Sequence, residues 1–496
     1  MTLDELTALL SIPSLSANGD FDSITEDSRK VRTASLFVAI DGNKSDGHDF
    51  AEEAVAKGAV AVLGNKAGIR EIAGSPYIYY DRPRRAVGLI AQALAGFPSR
   101  DLCVIGVTGT NGKTSTCCLV RQILNHTGFS CANIGTLGYD LPQSQTAASH
   151  TTPFGEELAS LLARAKEQAC THVVMETSSH ALEQGRVAGI EFNIGAFTNL
   201  TQDHLDYHET MESYRDAKLL LFEELRRNHQ DPEGKRPCFT VVNREDPTAQ
   251  DFINAFPEGC ITFGKGGMVK ARHLTVDIQG AAFTLVTPEA SAAVKLSLIG
   301  KHNVQNALCA AAICHGAGIP LEKIVSGLES LKSVPGRMET VGTGHSFQVV
   351  VDYAHTDDGL RNALQAARAV CPGKLIVVFG CGGDRDKGKR PKMGAVAAEL
   401  ADFAILTSDN PRTEEPCRIL LDVEVGLQRK QKYKGDDYWV IESRLEAIEA
   451  AISLARPGDL ILIAGKGHED YQIIGTERRH FDDREVALAA LKALSS

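Results

Sequence analysis

A chain of 496 residues that carries 52 Lys and Arg against 63 Asp and Glu, a formal charge of −11, lacks the broad basic surface that a nucleic-acid partner requires. Its hydrophobic content of 43% is that of an ordinary globular protein, and its length exceeds what one core holds, so three domains are expected. No apolar run nears the ~18 residues that cross a bilayer. The start, MTLDELTALL, lacks a basic segment followed by an apolar one; a soluble, cytoplasmic enzyme is the expectation.

Residues 1 to 98 alternate short apolar runs (Ser35 to Ile40, Ala59 to Leu63, Tyr77 to Tyr80) with helical patterns, which predicts a small α/β domain. Its loops Asp27-Ser28-Arg29 and Asp46-Gly47-His48-Asp49 read equally as polar ligand contacts and as ordinary solvated turns. Phe97-Pro98-Ser99-Arg100 reads as a linker.

The stretch from Leu102 to Ser115, LCVIGVTGTNGKTS, is an apolar run, a glycine loop and a Lys-Thr-Ser helix start. A buried strand feeding a helix N-terminus through Gly109 and Gly112 lets backbone N–H groups surround an anion. Lys113 then reaches terminal phosphates, and the Thr114 hydroxyl is placed for Mg²⁺. The spacing departs from G-x-x-x-x-G-K-[ST], because Val107 occupies the first glycine position.

Between residues 99 and 336 strand-like runs (Thr171 to Met175, Asn193 to Phe197, Pro237 to Val242) alternate with helical ones, which predicts a parallel sheet wrapped by helices. Polar clusters follow two of the runs: Glu176-Thr177-Ser178-Ser179-His180, and the segment from Asn199 to Asp206. Ligands of open α/β sheets gather there, beyond the strand C-termini. From 337 to 496 the alternation repeats, with strands predicted at Phe347 to Val351, Lys374 to Phe379, Phe403 to Leu406 and Asp459 to Ile463. Three polar loops follow these strands, Gly382 to Arg385, Asp409 to Arg412 and Gly465 to Glu469, and a parallel sheet brings all three to one edge. The twelve cysteines are scattered without a C-x-x-C pair. Neither a zinc site nor a redox motif is expected, and their number suits a reducing compartment.

Taken together, Gly106 to Thr114, Gly300-Lys301-His302-Asn303-Val304-Gln305-Asn306, Pro335-Gly336-Arg337-Met338-Glu339, Asp352-Tyr353-Ala354-His355, Asp409-Asn410-Pro411-Arg412 and Gly465 to Gln472 resemble the signatures of the Mur ligase family over essentially the whole chain. The resemblance also accounts for the unusual glycine spacing. It implies three α/β domains: an N-terminal UDP-sugar-binding domain (1–98), a central P-loop ATP-binding domain (99–336) and a Rossmann-like amino-acid-binding domain (337–496). The implied activity is ATP-dependent amide formation through an acyl phosphate. The last two motifs are similar to those of the family member that joins meso-diaminopimelate to UDP-N-acetylmuramoyl-L-alanyl-D-glutamate in peptidoglycan synthesis, with no nucleic acid, no membrane insertion and a monomeric protein.

The resemblance further implies a role for each position. Lys113, Glu176, His204 and Lys218 are the catalytic candidates. Thr108, Gly109, Thr110, Asn111, Gly112, Lys113, Thr114, Ser115, Asn303, Asn306, Arg337 and Asp352 would bind ATP. One Mg²⁺ would be held by Thr114 and Glu176, and a second by His204 with Lys218 as its CO₂ adduct, a carbamate that only the neutral amine can form. Ser28, His48, Thr151, Thr152, Ser178, Gln184 and Arg186 would hold the muramoyl dipeptide. Arg385, Asp409, Asn410, Pro411, Arg412, Gly465 and Glu469 would surround diaminopimelate. His150 stands where the family commonly has Asn. As isolated residues, Glu176 also reads as a helix-capping or surface carboxylate, His204 as a packed histidine, Lys218 as a solvated lysine, and Arg337 and Asp352 each as a member of a structural ion pair. Folylpolyglutamate synthetase shares the acyl-phosphate chemistry, but usually lacks the 98 residues ahead of the glycine loop. A nucleotide-switched regulatory protein has no use for Lys113, Glu176, His204 and Lys218 together.

Overall fold

A computed structural model describes residues 1–14, 19–42, 45–228, 237–342 and 344–494. They form two compact units: Met1–Leu200 with His208–Phe263 and Ala312–Ile319, and Thr201–Tyr207 with Gly264–Ala311 and Pro320–Ser496.

The first unit holds two sheets. Strands β1 (Ser23–Thr25), β2 (Ser35–Val38), β3 (Ala59–Gly64), β4 (Glu71–Ile72) and β5 (Ser75–Tyr79) pair in the order β1-β2-β3-β5-β4, all parallel except β4. The second sheet is built from β6 (Cys103–Thr108), β7 (Cys131–Gly135), β8 (Gly138–Leu141), β9 (Ser144–Thr146), β10 (His172–Glu176), β11 (Ile194–Phe197), β12 (Phe239–Asn243) and β13 (Cys260–Phe263). Its order is β13-β12-β11-β6-β10-β7-β8-β9, with the first six parallel. The residues of β10 to β12 are nearly all buried, because helices cover both faces; this is why the sequence shows unbroken apolar runs here. Strand order reverses beside β6, so the crevice beyond its C-terminus is where such a sheet receives a ligand. Within this unit the helix Pro83–Leu94 meets the helix Gly155–Glu167 with the backbones of Gly88 and Gly155 almost touching: a Cβ on Gly155 would lie 2.8 Å from the Gly88 Cα.

The second unit carries β14 (Lys270–Asp277), β15 (Gly280–Val286) and β16 (Ser291–Leu296), an antiparallel meander. The run of apolar residues in the sequence does not mark this meander, since its half-exposed strands carry no long continuous apolar stretch. The larger sheet joins β17 (Glu339–Thr340), β18 (Gln348–Asp352), β19 (Leu375–Phe379), β20 (Phe403–Leu406), β21 (Tyr438–Val440) and β22 (Leu460–Ala464) in the order β17-β18-β22-β19-β20-β21, parallel except β17. A hairpin, β23 (Tyr471–Ile474) and β24 (Glu477–His480), follows β22. The four predicted strands of this segment are observed within a residue at each end, and their C-termini share one edge.

Candidate active site

The glycine loop leaves β6 and enters the helix Lys113–His126 through its N-cap residue Gly112, whose φ of 85° is left-handed and which has no side chain of its own to cap the helix. The N-terminal N–H groups and the helix dipole therefore face the loop, as an anion cradle requires. Two residues after β11 clamp the loop from outside: the Thr198 hydroxyl donates to Asn111 O (2.6 Å), and Asn199 exchanges hydrogen bonds with Asn111, Oδ1 accepting from its N–H (2.9 Å) and Nδ2 donating to its carbonyl (3.1 Å). Thr198 leaves no room for a side chain at Gly109. The Lys113 ammonium donates to the carbonyls of Gly109 and Thr110, both at 2.8 Å, which keeps its charge over the loop. Thr108 and Ser115 are buried at the two ends of the turn.

Glu176 ends β10, the neighbour of β6, and is buried where it is needed. Its Oε2 accepts from the Thr114 hydroxyl (3.0 Å) and the Thr136 hydroxyl (3.2 Å), while its Oε1 accepts from Thr136 N (2.7 Å). Thr136 Oγ1 is also 3.1 Å from Thr151 Oγ1. Carboxylate and hydroxyl oxygens in this grouping are the donors Mg²⁺ prefers. Among the described residues no three His, Cys, Asp or Glu side chains cluster as a ready-made metal cage.

The dipeptide candidates adjoin this carboxylate. The Thr152 hydroxyl donates to Glu176 O (2.8 Å) and accepts from Ser178 N (3.0 Å). Arg186 donates from Nε (3.0 Å) and Nη2 (2.7 Å) to Gln184 Oε1 and from Nη1 to Thr152 O (3.0 Å), and it stacks 4.1 Å above the Phe154 ring. His150 lies edge-on to the same ring at 4.8 Å, and burial with the Arg186 charge holds its imidazole below the usual range. At the N-terminal sheet, Ser28 is buried, and both ring nitrogens of His48 are engaged, Nδ1 with Asp46 (2.6 Å) and Nε2 with Tyr77 Oη (2.9 Å).

Lys218 is 1% exposed, in the helix Met211–Asn228, with its ammonium 4.1 Å over the Tyr214 ring. Tyr214 Oη is in turn 3.3 Å from Thr110 Oγ1, which ties this lysine to the glycine loop. The remaining catalytic candidate, His204, belongs to the second unit; it adopts φ 53° beside Asp203, which accepts from its N–H (2.8 Å).

Other candidates of the second unit fall into two groups. Asn303 and Asn306, both buried, are joined by a 3.0 Å bond from Asn306 Nδ2 to Asn303 Oδ1. Asp352 ends β18 and accepts from Met338 N (2.8 Å) and Ala354 N (2.9 Å); burial raises its carboxyl against the lowering effect of Arg337, whose guanidinium stacks 4.8 Å from the Tyr353 ring.

The other group surrounds the ends of β19, β20 and β22. Asp409 is 6% exposed, yet among the described residues neither carboxylate oxygen accepts a hydrogen bond within 3.5 Å; Lys466 stands 3.7 Å away. Burial works to raise the Asp409 carboxyl, but Lys466 and Arg444 outweigh it and hold it below the usual range. Glu469 is pushed up, by burial and then by Asp409. Asn410 Nδ2 donates to Glu469 Oε2 (3.0 Å). Arg412, at φ 51°, follows the buried Pro411 and donates from Nη1 to Gly383 O (2.9 Å). Gly465, at φ 119°, has Asp409 Oδ2 only 2.7 Å from where a Cβ would sit. Arg385 is exposed and donates from Nη1 to its neighbour Asp384 O (3.1 Å).

A strand–glycine loop–helix cradle with a lysine over it and a buried carboxylate one strand away defines a nucleotide-triphosphate enzyme of the P-loop kind. The comparisons with known proteins refine this class. Three family profiles match in succession: Mur ligase family, catalytic domain, over residues 20–95; Mur ligase middle domain, over 107–314; and Mur ligase, glutamate ligase domain, over 336–467. The chain belongs to the Mur ligase family, and is an ATP-dependent, amide-forming ligase of three α/β domains. The UDP-N-acetylmuramoyl-L-alanyl-D-glutamate--2,6-diaminopimelate ligase of Geobacillus kaustophilus (strain HTA426) is 44% identical over 493 residues, 98% of this chain and 99% of that one. The enzyme of the same name from Bacillus licheniformis is 45% identical, with 99% of each chain covered. A solved structure of a ligase of that name superposes with a TM-score of 0.70 at 33% identity over the whole of both chains.

Proposed function

We propose that this ligase joins meso-diaminopimelate to the D-glutamate of UDP-N-acetylmuramoyl-L-alanyl-D-glutamate, acting as a cytoplasmic monomer in the synthesis of peptidoglycan precursors. The D-glutamate side-chain carboxylate attacks the γ-phosphorus of ATP, releasing ADP and leaving an acyl phosphate. The deprotonated amine of diaminopimelate then attacks the acyl carbon, and inorganic phosphate leaves as the amide forms. Both steps gather negative charge, so the site has to supply cations and N–H donors in place. Lys113 and the helix N-terminus stabilise the transferring phosphoryl group. Thr114 and Glu176 are the residues that would hold Mg²⁺, which neutralises phosphate charge when bound. Lys218, once carbamylated, would offer oxygen donors to a second such ion. Thr151, Thr152, Ser178, Gln184 and Arg186 hold the acceptor peptide, with Ser28 and His48 toward its nucleotide end. Asn303, Asn306, Arg337 and Asp352 contact the nucleotide.

The observation that carries the choice of amino acid is the buried Asp409 carboxylate with unused acceptor oxygens, grouped with Asn410, Glu469 and Arg412. Such a site answers an ammonium and a carboxylate on the same carbon, which diaminopimelate carries at the end remote from the new bond and lysine does not. The test is phosphate release with ATP and the UDP-muramoyl dipeptide, supplied with meso-diaminopimelate, L-lysine or L-ornithine in turn. Turnover that requires meso-diaminopimelate and the dipeptide together is expected; equal use of L-lysine overturns the specificity.

A further inference from the structure

Lys466 belongs to none of the groups assigned so far, and it is the most fully enclosed lysine near the amine-side loops, with 0% of its side chain exposed. Its ammonium donates to Asn410 Oδ1 (3.1 Å) and to Tyr471 O (2.6 Å), and lies 3.7 Å from an Asp409 oxygen and 3.6 Å from a Glu469 oxygen. It thus ties the loop after β20 to the loop after β22 and to the first residue of β23. We propose that Lys466 is the positioning residue of the amino-acid site: it fixes the polar groups that read the distal end of the incoming amino acid, without touching that amino acid itself.

Two properties of the arrangement lead to this role. The first is the orientation of Asn410. Its side-chain oxygen accepts from Lys466 and from Ile473 N (2.9 Å), so its Nδ2 is forced to point at Glu469 (3.0 Å). Without the ammonium a carboxamide rotates at little cost. The second is charge. Asp409 (3.7 Å) and Glu469 (3.6 Å) both lie beside the Lys466 ammonium. Arg444 acts on Asp409 and Arg412 on Glu469 as well, but Lys466 is the leading cation for both, and removing it weakens the charge that holds two largely buried carboxylates side by side. An ammonium buried to this degree also has no path to the substrate, which separates positioning from contact.

This inference rests on the amino-acid site proposed above, and the experiment separates the two. Full-length wild type, Lys466→Met, Asn410→Ala and the double variant are assayed for phosphate release, with KM determined separately for the amino acid, ATP and the UDP-muramoyl dipeptide. Lys466→Met is expected to raise the KM for meso-diaminopimelate about 30-fold while the other two KM values stay within about twofold. Because Lys466 acts in part through Asn410, the double variant is expected to lose less than the two single losses combined. An unchanged amino-acid KM, a loss shared by all three KM values, or fully additive losses overturns the role. If Lys466→Met does not fold, as judged by calorimetry, Lys466→Arg decides: its larger head has to raise the amino-acid KM at least threefold with that for ATP unmoved, and an unchanged value overturns the role. If wild type prefers another amino acid, the specificity reading fails, and the same KM comparison with that amino acid still judges Lys466.

Discussion

Gly135 closes β7 with its Cα directly against the Glu176 side chain, and adding one methyl group there is a sharp probe of that carboxylate. A Cβ at Gly135 would lie 2.9 Å from both Cγ and Cδ of Glu176, and closer still to Oε1. Comfortable carbon contacts begin near 3.5 Å, so in Gly135→Ala the carboxylate has to retreat by about 0.6–1 Å. That displacement stretches the bonds from the Thr114 hydroxyl (3.0 Å) and Thr136 N (2.7 Å) beyond useful length. A misplacement of that size in a group that organises charge at the reacting phosphate costs roughly 10²-fold in kcat. The fold should hold, because Gly135 is not among the residues with left-handed φ and the displaced atoms are the end of a side chain. Phosphate release measured across a Mg²⁺ titration, beside calorimetry, reads both effects: a low kcat, a raised Mg²⁺ requirement, and a melting temperature within a few degrees of wild type. A kcat within threefold of wild type in a folded variant would refute the role given to Glu176.

Lys218→Ala should lose turnover, and short carboxylic acids should restore part of it by supplying the oxygens of the lost carbamate; wild-type activity should fall in CO₂-depleted buffer. Arg412→Ala should raise the KM for diaminopimelate at least tenfold and leave that for ATP unchanged, as the loss of a charged, bidentate partner demands. Glu156, raised from 4.5 to about 7 by burial and then by Glu26, binds its proton more tightly folded than unfolded, so its contribution to stability is lost as pH rises from about 4.5 to 7. Glu156→Gln should therefore stabilise the protein by roughly 1–2 kcal/mol at pH 8, after allowance for partial exposure, and by little at pH 4, which thermal melts at the two pH values would check.

What the sequence disclosed was what lies contiguous in it. Gly109 to Thr114 states strand, loop and helix start in one breath, and Asp409 to Arg412 and Gly465 to Glu469 each follow an apolar strand that ends at a parallel sheet edge. What it concealed were partners from distant strands. Thr136 lies in a hairpin turn 40 residues before Glu176, and nothing in its neighbourhood says that it faces a carboxylate. Thr198 and Asn199 could be read only as polar residues after an apolar run, because the pairing of β11 with β6 that places them on the loop is non-local. His48 was legible as a lone histidine in a polar loop, but its partner Tyr77, on another strand, was not. Lys466 was visible inside its motif, but its enclosure depends on β20 and β23 together.

The clamp of Thr198 and Asn199 on the glycine loop also bears on how the protein is made. The strand that carries the loop acquires its two neighbours only when β10 and β11 have been synthesised, some seventy and ninety residues later. A nascent chain halted before Asn199 has the complete signature in sequence and an unfinished cradle in space, with an apolar strand open on at least one side. Contacts of that separation form slowly. The interval during translation is therefore the period in which this chain most needs shielding from its neighbours, and bound nucleotide cannot offer that protection until the clamp has closed.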